Sequence, residues 1–144
     1  MTPDNRKRSN RAGSKRPTRK LKVVKSDDPE PPYVVRWHPE AADERDASWP
    51  PEDKVAMQHA VEKLKAAGPR LMHPHSSAVQ GAAGKGFREL RPRAGRSRWR
   101  PIYRRATPDT FVIVAVAPEA EIDQRGFDAA VARAVVRFAQ INLG

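Results

Sequence analysis

The sequence contains no cysteine and no long apolar run. The lack of cysteine excludes disulfides and thiol chemistry, and it fits a cytoplasmic protein, because disulfides are rare in that compartment. The longest apolar run, residues 111–118, is far shorter than the roughly 20 residues that a membrane-spanning helix needs. The basic N-terminus has no apolar segment after it, so we do not expect a secretory signal. Together these absences predict a cytoplasmic protein that does not enter a membrane.

Motifs for metal and nucleotide binding are also missing. The chain has four histidines, but none lies in an HExxH motif, and no cysteine is available as a partner ligand. The glycine-rich stretch 81–86, GAAGKG, lacks the spacing of a phosphate-binding loop and the Ser or Thr that follows its lysine. Ser76 and Ser77 follow His75, but no GxSxG nucleophile elbow surrounds them. We therefore expect no metal, no cofactor and no serine nucleophile.

Positive charge is abundant, and it is concentrated in two blocks. Residues 1–25 carry ten Lys or Arg and one acidic residue, and residues 85–105 carry nine basic residues with Glu89 as the single acid. The rest of the chain is net acidic. Two basic blocks on an otherwise acidic protein indicate a polyanionic partner, although a solvated tail or strand face would look the same.

The domain organisation follows from composition. Residues 1–25 have almost no large apolar side chain, so they cannot bury enough surface to offset the chain entropy lost on folding. We expect residues 1–32 to form a disordered basic tail with a proline-rich hinge, and residues 33–144 to form one folded domain. The tail would bind the backbone of rRNA or DNA through its charge, without sequence preference.

Periodicity predicts the elements of the folded domain. Residues 51–67 place apolar side chains at helical spacing, and Gly68 and Pro69 should stop that helix. Residues 127–140 predict a second helix that begins near Asp123 or Asp128, with Phe127, Val131, Ala134, Val135 and Phe138 as its apolar stripe. The predicted strands are 33–38, ended by Pro39, then 86–91, 99–105 and 110–117.

These elements predict an α+β fold of order β-α-β-β-β-α. We expect a small antiparallel sheet with the helices packed on one of its faces. The strand 110–117 is the most apolar and should be internal. Residues 70–85 should form a loop, and Pro101, which has no N–H to donate, should lie at an edge or a bulge.

The second basic block lies inside this fold and predicts a nucleic-acid interface. If the strand 99–105 is regular, Arg98, Arg100 and Arg104 share one face, and helices on the other face would leave it free. Guanidinium groups spaced along a strand can follow a phosphate backbone. The complete set of predicted nucleic-acid-binding residues is Lys85, Arg88, Arg98, Arg104, Arg105 and Arg125.

Arginines can also contribute to catalysis. Cleavage of RNA by its own 2′-hydroxyl requires a base, an acid and stabilisation of the charge that develops on the phosphate. A guanidinium can stabilise that charge but is a poor base, so another side chain must move the protons. His73, His75 and Glu119 are the candidates for that role, each of which could instead be an ordinary loop or surface residue.

The order of these motifs resembles the RelE/ParE toxin superfamily, and especially its HigB-like, phage-derived subgroup. The shared features are an ELR strand, here residues 89–91, and a YR-x-x-Y strand, here the WRPIY of residues 99–103. A very apolar strand and a C-terminal helix follow, and the similarity covers about residues 33–141.

The resemblance implies the toxin of a type II toxin–antitoxin system. Such a toxin is a metal-independent mRNA endoribonuclease, either ribosome-dependent or acting on free mRNA, that is neutralised by a cognate antitoxin; we expect it to act on translated mRNA at the ribosome. In this family the arginine that matches Arg100 stabilises the phosphate, and Arg91 matches the arginine of ELR. With His75 and Glu119, these residues make up the predicted catalytic set.

The sequence departs from the family after the apolar strand. Family members commonly carry a basic pair there, whereas this chain has Glu119 and Glu121. Either Glu119 takes an acid–base role or the activity is altered. Two other functions therefore stay open: a ParE-like toxin that inhibits DNA gyrase without nuclease activity, and a non-catalytic nucleic-acid-binding phage or accessory protein.

Overall fold

The computed structural model of the chain describes residues 30–141, without the side chain of Ser48. The predicted tail, residues 1–25, lies outside the described residues. Five strands and three α-helices are present in the described part. In chain order they are β1 (Val34–Trp37), α1 (Pro39–Ser48), α2 (Pro51–Ala67), β2 (Ser76–Ala78), β3 (Arg88–Leu90), β4 (Trp99–Thr107), β5 (Thr110–Pro118) and α3 (Gln124–Ala139).

The strands form a single sheet of order β1-β5-β4-β3-β2. The pairs β2–β3, β3–β4 and β4–β5 are antiparallel, whereas β1 pairs parallel with β5. The sheet is therefore mixed, not purely antiparallel as the sequence predicted. The physical reason is the long connection between β1 and β5, which can return the chain to the same end of the sheet, whereas a tight hairpin cannot. β5 is internal, as predicted.

Helix α1 was not predicted, because Pro39 was interpreted as the end of a strand. Proline is well tolerated in the first turn of a helix, where its missing N–H would have no partner. The imidazole Nδ1 of His38 accepts a hydrogen bond of 3.1 Å from the backbone N–H of Glu40 and so caps the helix. The helix is short and polar, and Ala41 is its only residue counted as fully buried among those described, so periodicity had little to detect.

The other two helices match their predictions closely. α2 ends at Gly68, which adopts a positive φ of 55°, and it buries Met57, Ala60, Val61 and Leu64. α3 begins three residues earlier than predicted, and the Asp123 carboxylate caps it by accepting a 2.8 Å hydrogen bond from the N–H of Gly126. The predicted apolar stripe of α3 was wrong at Val135, which is exposed, while Arg137 is buried instead.

Side chains of β5 point into two separate apolar clusters. Phe111 and Ile113 pack with residues of α2, whereas Val112 and Val114 pack with residues of α3. A register shift opposite Ile102 and Tyr103 leaves Val114 unpaired in the β4–β5 ladder. The predicted α+β class is confirmed, but the helices cover both faces of the sheet instead of one. The apolar sequence of β5 explains this, because a strand that is apolar at every position is buried on both sides.

Because helices cover both faces of the sheet, the arginines of β4 do not lie on an uncovered sheet face as predicted. The predicted free face for Arg98, Arg100 and Arg104 does not exist, because Ile102 packs in the apolar cluster with α3 and Arg104 stacks over Phe138 of α3. Arg100 is only 3% exposed, because Glu119 and the backbone carbonyls of residues 95–99 enclose its guanidinium group. Pro101 pairs with Val116 of β5 and lies beyond the last residue of β4 that pairs with β3, which agrees with the predicted edge position.

The predicted loop 70–85 contains one additional strand. β2 pairs with β3 through Ser76, Ser77 and Ala78 and forms the second edge of the sheet. Three polar or small residues carry no strand signal of their own, so only the pairing reveals them. Among the described helices, none is long and apolar enough to cross a membrane.

Candidate active site

Arg100 is held by carboxylates and backbone carbonyls that surround its guanidinium group. Nη2 donates to the carbonyl of Gly95 at 3.0 Å and to Glu119 Oε2 at 3.1 Å. Nη1 donates to the carbonyls of Ser97 and Trp99. Nε lies 3.6 Å from Glu89 Oε1. These contacts hold the turn before β4 in place and leave few donors for a substrate.

The carboxyl group of Glu89 has a raised pKa in this cluster. Burial raises the pKa of its carboxyl, and the charges of Arg100 and Arg91 and the hydrogen bonds from Arg91 and Ser77 lower it by less. The net pKa lies above the ordinary value because desolvation penalises the charged form. A carboxyl that binds its proton more tightly than usual is a candidate acid or base.

Burial also lowers the pKa of Arg100, with a further contribution from the charge of Arg91. Glu89, Glu119 and Glu121 act in the opposite direction. A small cavity of about 120 Å³ lies against this cluster and is lined by Glu89, Arg91, Arg100, Glu119, Ala120 and Glu121. Arg100 and Glu119, both predicted as catalytic, thus line one cavity.

Arg91 connects this small cavity to a larger cleft. Its Nε donates to the carbonyl of Pro74 at 3.1 Å, and its Nη1 donates to Glu89 Oε1 at 3.3 Å. Gly95 allows this approach: a Cβ there would lie 2.5 Å from Arg91 Nη2, and the residue has a positive φ of 93°. Arg91 lines both cavities. It is therefore next to Arg100 and Glu119 in the small cavity and next to His75 in the larger cleft.

The larger cleft has a volume of about 400 Å³ and lies between α2 and the turn after β3. Its lining residues are Glu52, Val55, Ala56, His59, Ala60, Lys63, His75, Arg91, Pro92 and Arg93. Among them are two imidazoles, two guanidinium groups and one ammonium group. His75 and Arg91 also lie side by side in the backbone, because the N–H of Arg91 donates to the carbonyl of His75 at 2.9 Å.

The turn after β3 places its arginine in a rarely used backbone conformation. Arg93 and Ala94 both have a φ of 56°, which is left-handed and unfavourable for residues with a Cβ. The Nε of Arg96 donates to the carbonyl of Arg93 at 3.1 Å and closes the turn. The consequence is that the exposed Arg93 side chain lies at the cleft.

Arg88, predicted to bind nucleic acid, is engaged inside the protein. Its Nε donates to Ser76 Oγ at 2.9 Å, and Ser76 Oγ lies 2.6 Å from the hydroxyl of Tyr103. Ser76 and Tyr103 are buried. This chain of hydrogen bonds joins β2, β3 and β4 and satisfies polar groups that would otherwise be costly to bury.

The remaining predicted nucleic-acid-binding residues divide between the two ends of β4. Arg104 stacks over Phe87 and Phe138, with its Cζ 5.2 and 5.1 Å from the two ring centroids, and its Nη1 reaches the carbonyl of Lys85 at 3.5 Å. Arg105 follows it and donates to the carbonyl of Pro108 at 3.0 Å.

Arg98 and Arg125 lie at the other end. Arg98 is exposed, precedes β4 and stacks on Trp99, and its carbonyl accepts a 2.9 Å hydrogen bond from the N–H of Glu119. Arg125 is exposed in the first turn of α3. Since a strand rises about 3.3 Å per residue, Arg98 and Arg104 are roughly 20 Å apart along the chain. The six residues therefore do not form one compact patch.

Sequence reasoning missed several residues of the cleft and the cluster. Glu89 was noted only as the single acidic residue of the basic block 85–105. Its position among so many basic residues was the available signal that it pairs with arginines. His59 was considered only as a metal ligand, and Lys63 was part of the exposed face of α2. Within residues 30–141, no group of three or more His, Asp or Glu side chains could hold a metal ion.

Comparison with known families finds a match to a phage-derived family. Residues 47–117 match the family described as "Phage derived protein Gp49-like (DUF891)". The match covers every lining residue of the larger cleft, whereas Glu119 and Glu121 lie just outside it. The search of curated proteins returned no match, and neither did the search of solved structures. Residues 47–117, which run from the end of α1 almost to the end of β5, are thus similar in sequence to this phage-derived, Gp49-like family.

Proposed function

We propose that this protein is the toxin of a type II toxin–antitoxin system and cleaves mRNA in the cytoplasm without a metal ion. Its substrate would be translated mRNA at the ribosome, and a cognate antitoxin would neutralise it. The Gp49-like match and the resemblance to RelE/ParE toxins support the toxin role. The nuclease activity is inferred from the chemistry of the larger cleft.

One observation carries this proposal: His75 and Arg91, separated by the whole β2–β3 hairpin in sequence, line the same cleft. The cleft adds a second imidazole, His59, and a second guanidinium, Arg93. Two imidazoles can supply both a base and an acid near neutral pH. Guanidinium groups can stabilise the charge of a pentavalent phosphate.

The proposed reaction proceeds through the 2′-hydroxyl of the substrate. His75 accepts the proton of that hydroxyl, the oxygen attacks the adjacent phosphorus, and the bond to the 5′-oxygen of the next nucleotide breaks. His59 donates a proton to this leaving oxygen. Arg91 and Arg93 stabilise the charged phosphate during the attack, and the products are a 2′,3′-cyclic phosphate and a free 5′-hydroxyl.

Arg100 and Glu119 take different roles in this proposal from those of the family resemblance. The guanidinium of Arg100 is buried and donates to backbone carbonyls and to Glu119. We therefore assign both as positioning residues that hold the turn before β4. Arg91, which contacts Glu89 of the same cluster, would transmit that positioning to the cleft.

The experiment compares induced expression of the wild type and three variants, Arg91→Ala, His75→Ala and Arg36→Ala, in a bacterial host. Arg36 is a matched control because it is exposed, lies outside both cavities and is not among the predicted nucleic-acid-binding residues. We expect growth arrest and new mRNA 5′ ends, detected by primer extension, in the wild type and the control only. Each of the two cleft variants should lose both at equal expression.

One observation favours a second function, that of a non-catalytic binder. The arginine that matches the family's phosphate-stabilising residue is occupied by protein groups. Arrest with intact mRNA would favour a gyrase-inhibiting toxin, which a supercoiling assay would test. Absence of arrest from well-expressed protein would favour a nucleic-acid-binding accessory protein. Either result would overturn the proposed nuclease.

A further inference from the structure

Besides His59, helix α2 contributes residues to the larger cleft that the proposed chemistry does not use. Val55, Ala56 and Ala60 form its apolar part, and Lys63 lies one turn beyond Ala60. Glu52 is the single carboxylate among the lining residues. The other charged or ionisable side chains of the cleft are imidazoles or cations, so Glu52 differs from its surroundings in both charge and hydrogen-bonding capacity.

The cleft has separate partners for the parts of a nucleotide. Its volume of about 400 Å³ lies near the lower end of the range typical of small-ligand sites, roughly 300–1,000 Å³. Lys63, Arg91 and Arg93 offer positive charge for a phosphate. The apolar part of α2 offers a surface for the flat face of a base. A single unpaired nucleotide satisfies both requirements, whereas a duplex is too large.

The carboxylate of Glu52 would interact differently with each of the four bases. An ionised carboxylate accepts hydrogen bonds on two oxygens and donates none. Guanine presents two donors side by side, N1–H and N2–H, which match the two oxygens. Adenine and cytosine present one amino group next to a ring acceptor. Uracil presents N3–H between two carbonyl oxygens, which a carboxylate repels. The chemistry of the group thus favours guanine most and uracil least.

We propose that Glu52 is a specificity-determining residue that selects guanine in this cleft. This inference rests on the proposed function, since it assumes that the cleft binds RNA one nucleotide at a time. It also goes beyond that function, because it names the base at the bound position. Glu52 selects the base, while His75 and Arg91 act on the phosphate and the sugar.

An alternative role for Glu52 makes a different prediction. A carboxylate in the first turn of a helix stabilises it by interaction with the helix dipole, typically by about 0.3–1 kcal/mol. Asp53 lies in the same turn and does not line the cleft, so Asp53→Asn is a matched control. A merely structural Glu52 would change the melting temperature in its variant but not the order of nucleotide affinities.

The test is calorimetric titration of the full chain with GMP, IMP and UMP. IMP lacks the N2 amino group and retains N1–H. We expect GMP to bind about tenfold or more tightly than UMP, as for other bidentate base contacts, with IMP between them. Glu52→Gln should bind the three with affinities within about twofold of each other, and Asp53→Asn should keep the wild-type order. The basic tail responds to phosphate charge, so it affects the three equally.

Equal affinities for GMP and UMP in the wild type would overturn the inference, as would an unchanged preference in Glu52→Gln. The same variants in the primer-extension assay separate this inference from the proposed function. Selective GMP binding without any mRNA cleavage would refute the nuclease and leave the guanine site. Cleavage with cut sites that do not change in Glu52→Gln would keep the nuclease and refute the guanine site.

Discussion

The carboxylate of Glu44 in α1 accepts a 2.8 Å hydrogen bond from the guanidinium of Arg137 in α3. The pair lies beside the part of β5 that extends past its last pairing with β1, at Ile113. There, Glu44 Oε1 accepts from the N–H of Val116 at 3.1 Å, and Arg137 Nη1 donates to the carbonyl of Val114 at 2.9 Å. Two side chains thus replace the backbone partners that a longer β1 would supply.

Removal of Arg137 should destabilise the domain. Arg137→Met keeps most of the side-chain volume but leaves Glu44 and the Val114 carbonyl without this donor. We expect a loss of about 1–3 kcal/mol in the free energy of unfolding, the range for a buried polar group that loses a hydrogen-bond partner. Urea denaturation measures it. Lys65→Met is the control, since Lys65 pairs with Glu62 on the surface and should change stability by less than about 1 kcal/mol.

The contribution of Glu44 should depend on pH in a defined direction. Burial raises the pKa of Glu44, but the hydrogen bonds from Arg137 and the Val116 N–H and the charge of Arg133 lower it more, so the pKa lies below its ordinary value. A lowered pKa in the folded state adds stability that is present above the unfolded value and disappears as the pH falls through the folded value.

The measurement is the stability difference between the wild type and Glu44→Gln from pH 7 downward. We expect the full difference above the ordinary glutamate value of 4.5 and a progressive decrease below it. A difference that grows toward acid pH would contradict the assigned direction.

Arg100→Ala should lower the free energy of unfolding of the domain, because Arg100 is a positioning residue. The substitution leaves the partly buried Glu89 without its largest compensating charge, and we expect a loss of about 1–3 kcal/mol. Glu89→Gln in the same chain should restore part of the stability, because it removes the uncompensated charge. Thermal unfolding of the single and double variants tests this.

Arg98→Ala serves as the control for Arg100, because Arg98 is exposed and should change stability by no more than about 0.5 kcal/mol. If Arg100→Ala melts like the wild type, the assignment as a positioning residue is wrong. Loss of the proposed growth arrest in Arg100→Ala alone therefore does not identify a catalytic residue.

The pKa of Glu89 should rise further when Arg91 is removed. The charge and hydrogen bond of Arg91 lower that pKa against the effect of burial, so Arg91→Ala removes a stabilising influence on the ionised form. Carbon-13 NMR titration of the carboxyl groups measures the change. The Glu44 signal provides an internal control and should titrate as in the wild type, whereas a downward shift of Glu89 would contradict the proposed electrostatics.

Local patterns in the sequence determined much of the fold. The helical spacing of apolar residues placed α2 at its observed bounds, and the continuous apolar run placed β5 inside the sheet. The extra helix and strand were missed for two different reasons. Pro39 can start a helix as well as end a strand, and β2 is recognisable only through its pairing with β3. The class of the fold followed from periodicity, which is a local property of the chain.

Only the tertiary structure determines which side chains contact one another or line the same cleft. By itself, the sequence determined an α+β domain, a strongly basic β3–β4 region and the residue types that RNA cleavage requires. It could not show that Arg100 is buried among carbonyls and carboxylates, or that His75 and Arg91 line one cleft with His59 of α2. The physical reason is that burial and contact depend on which faces of the sheet the helices cover, and that is settled only when distant segments pack together.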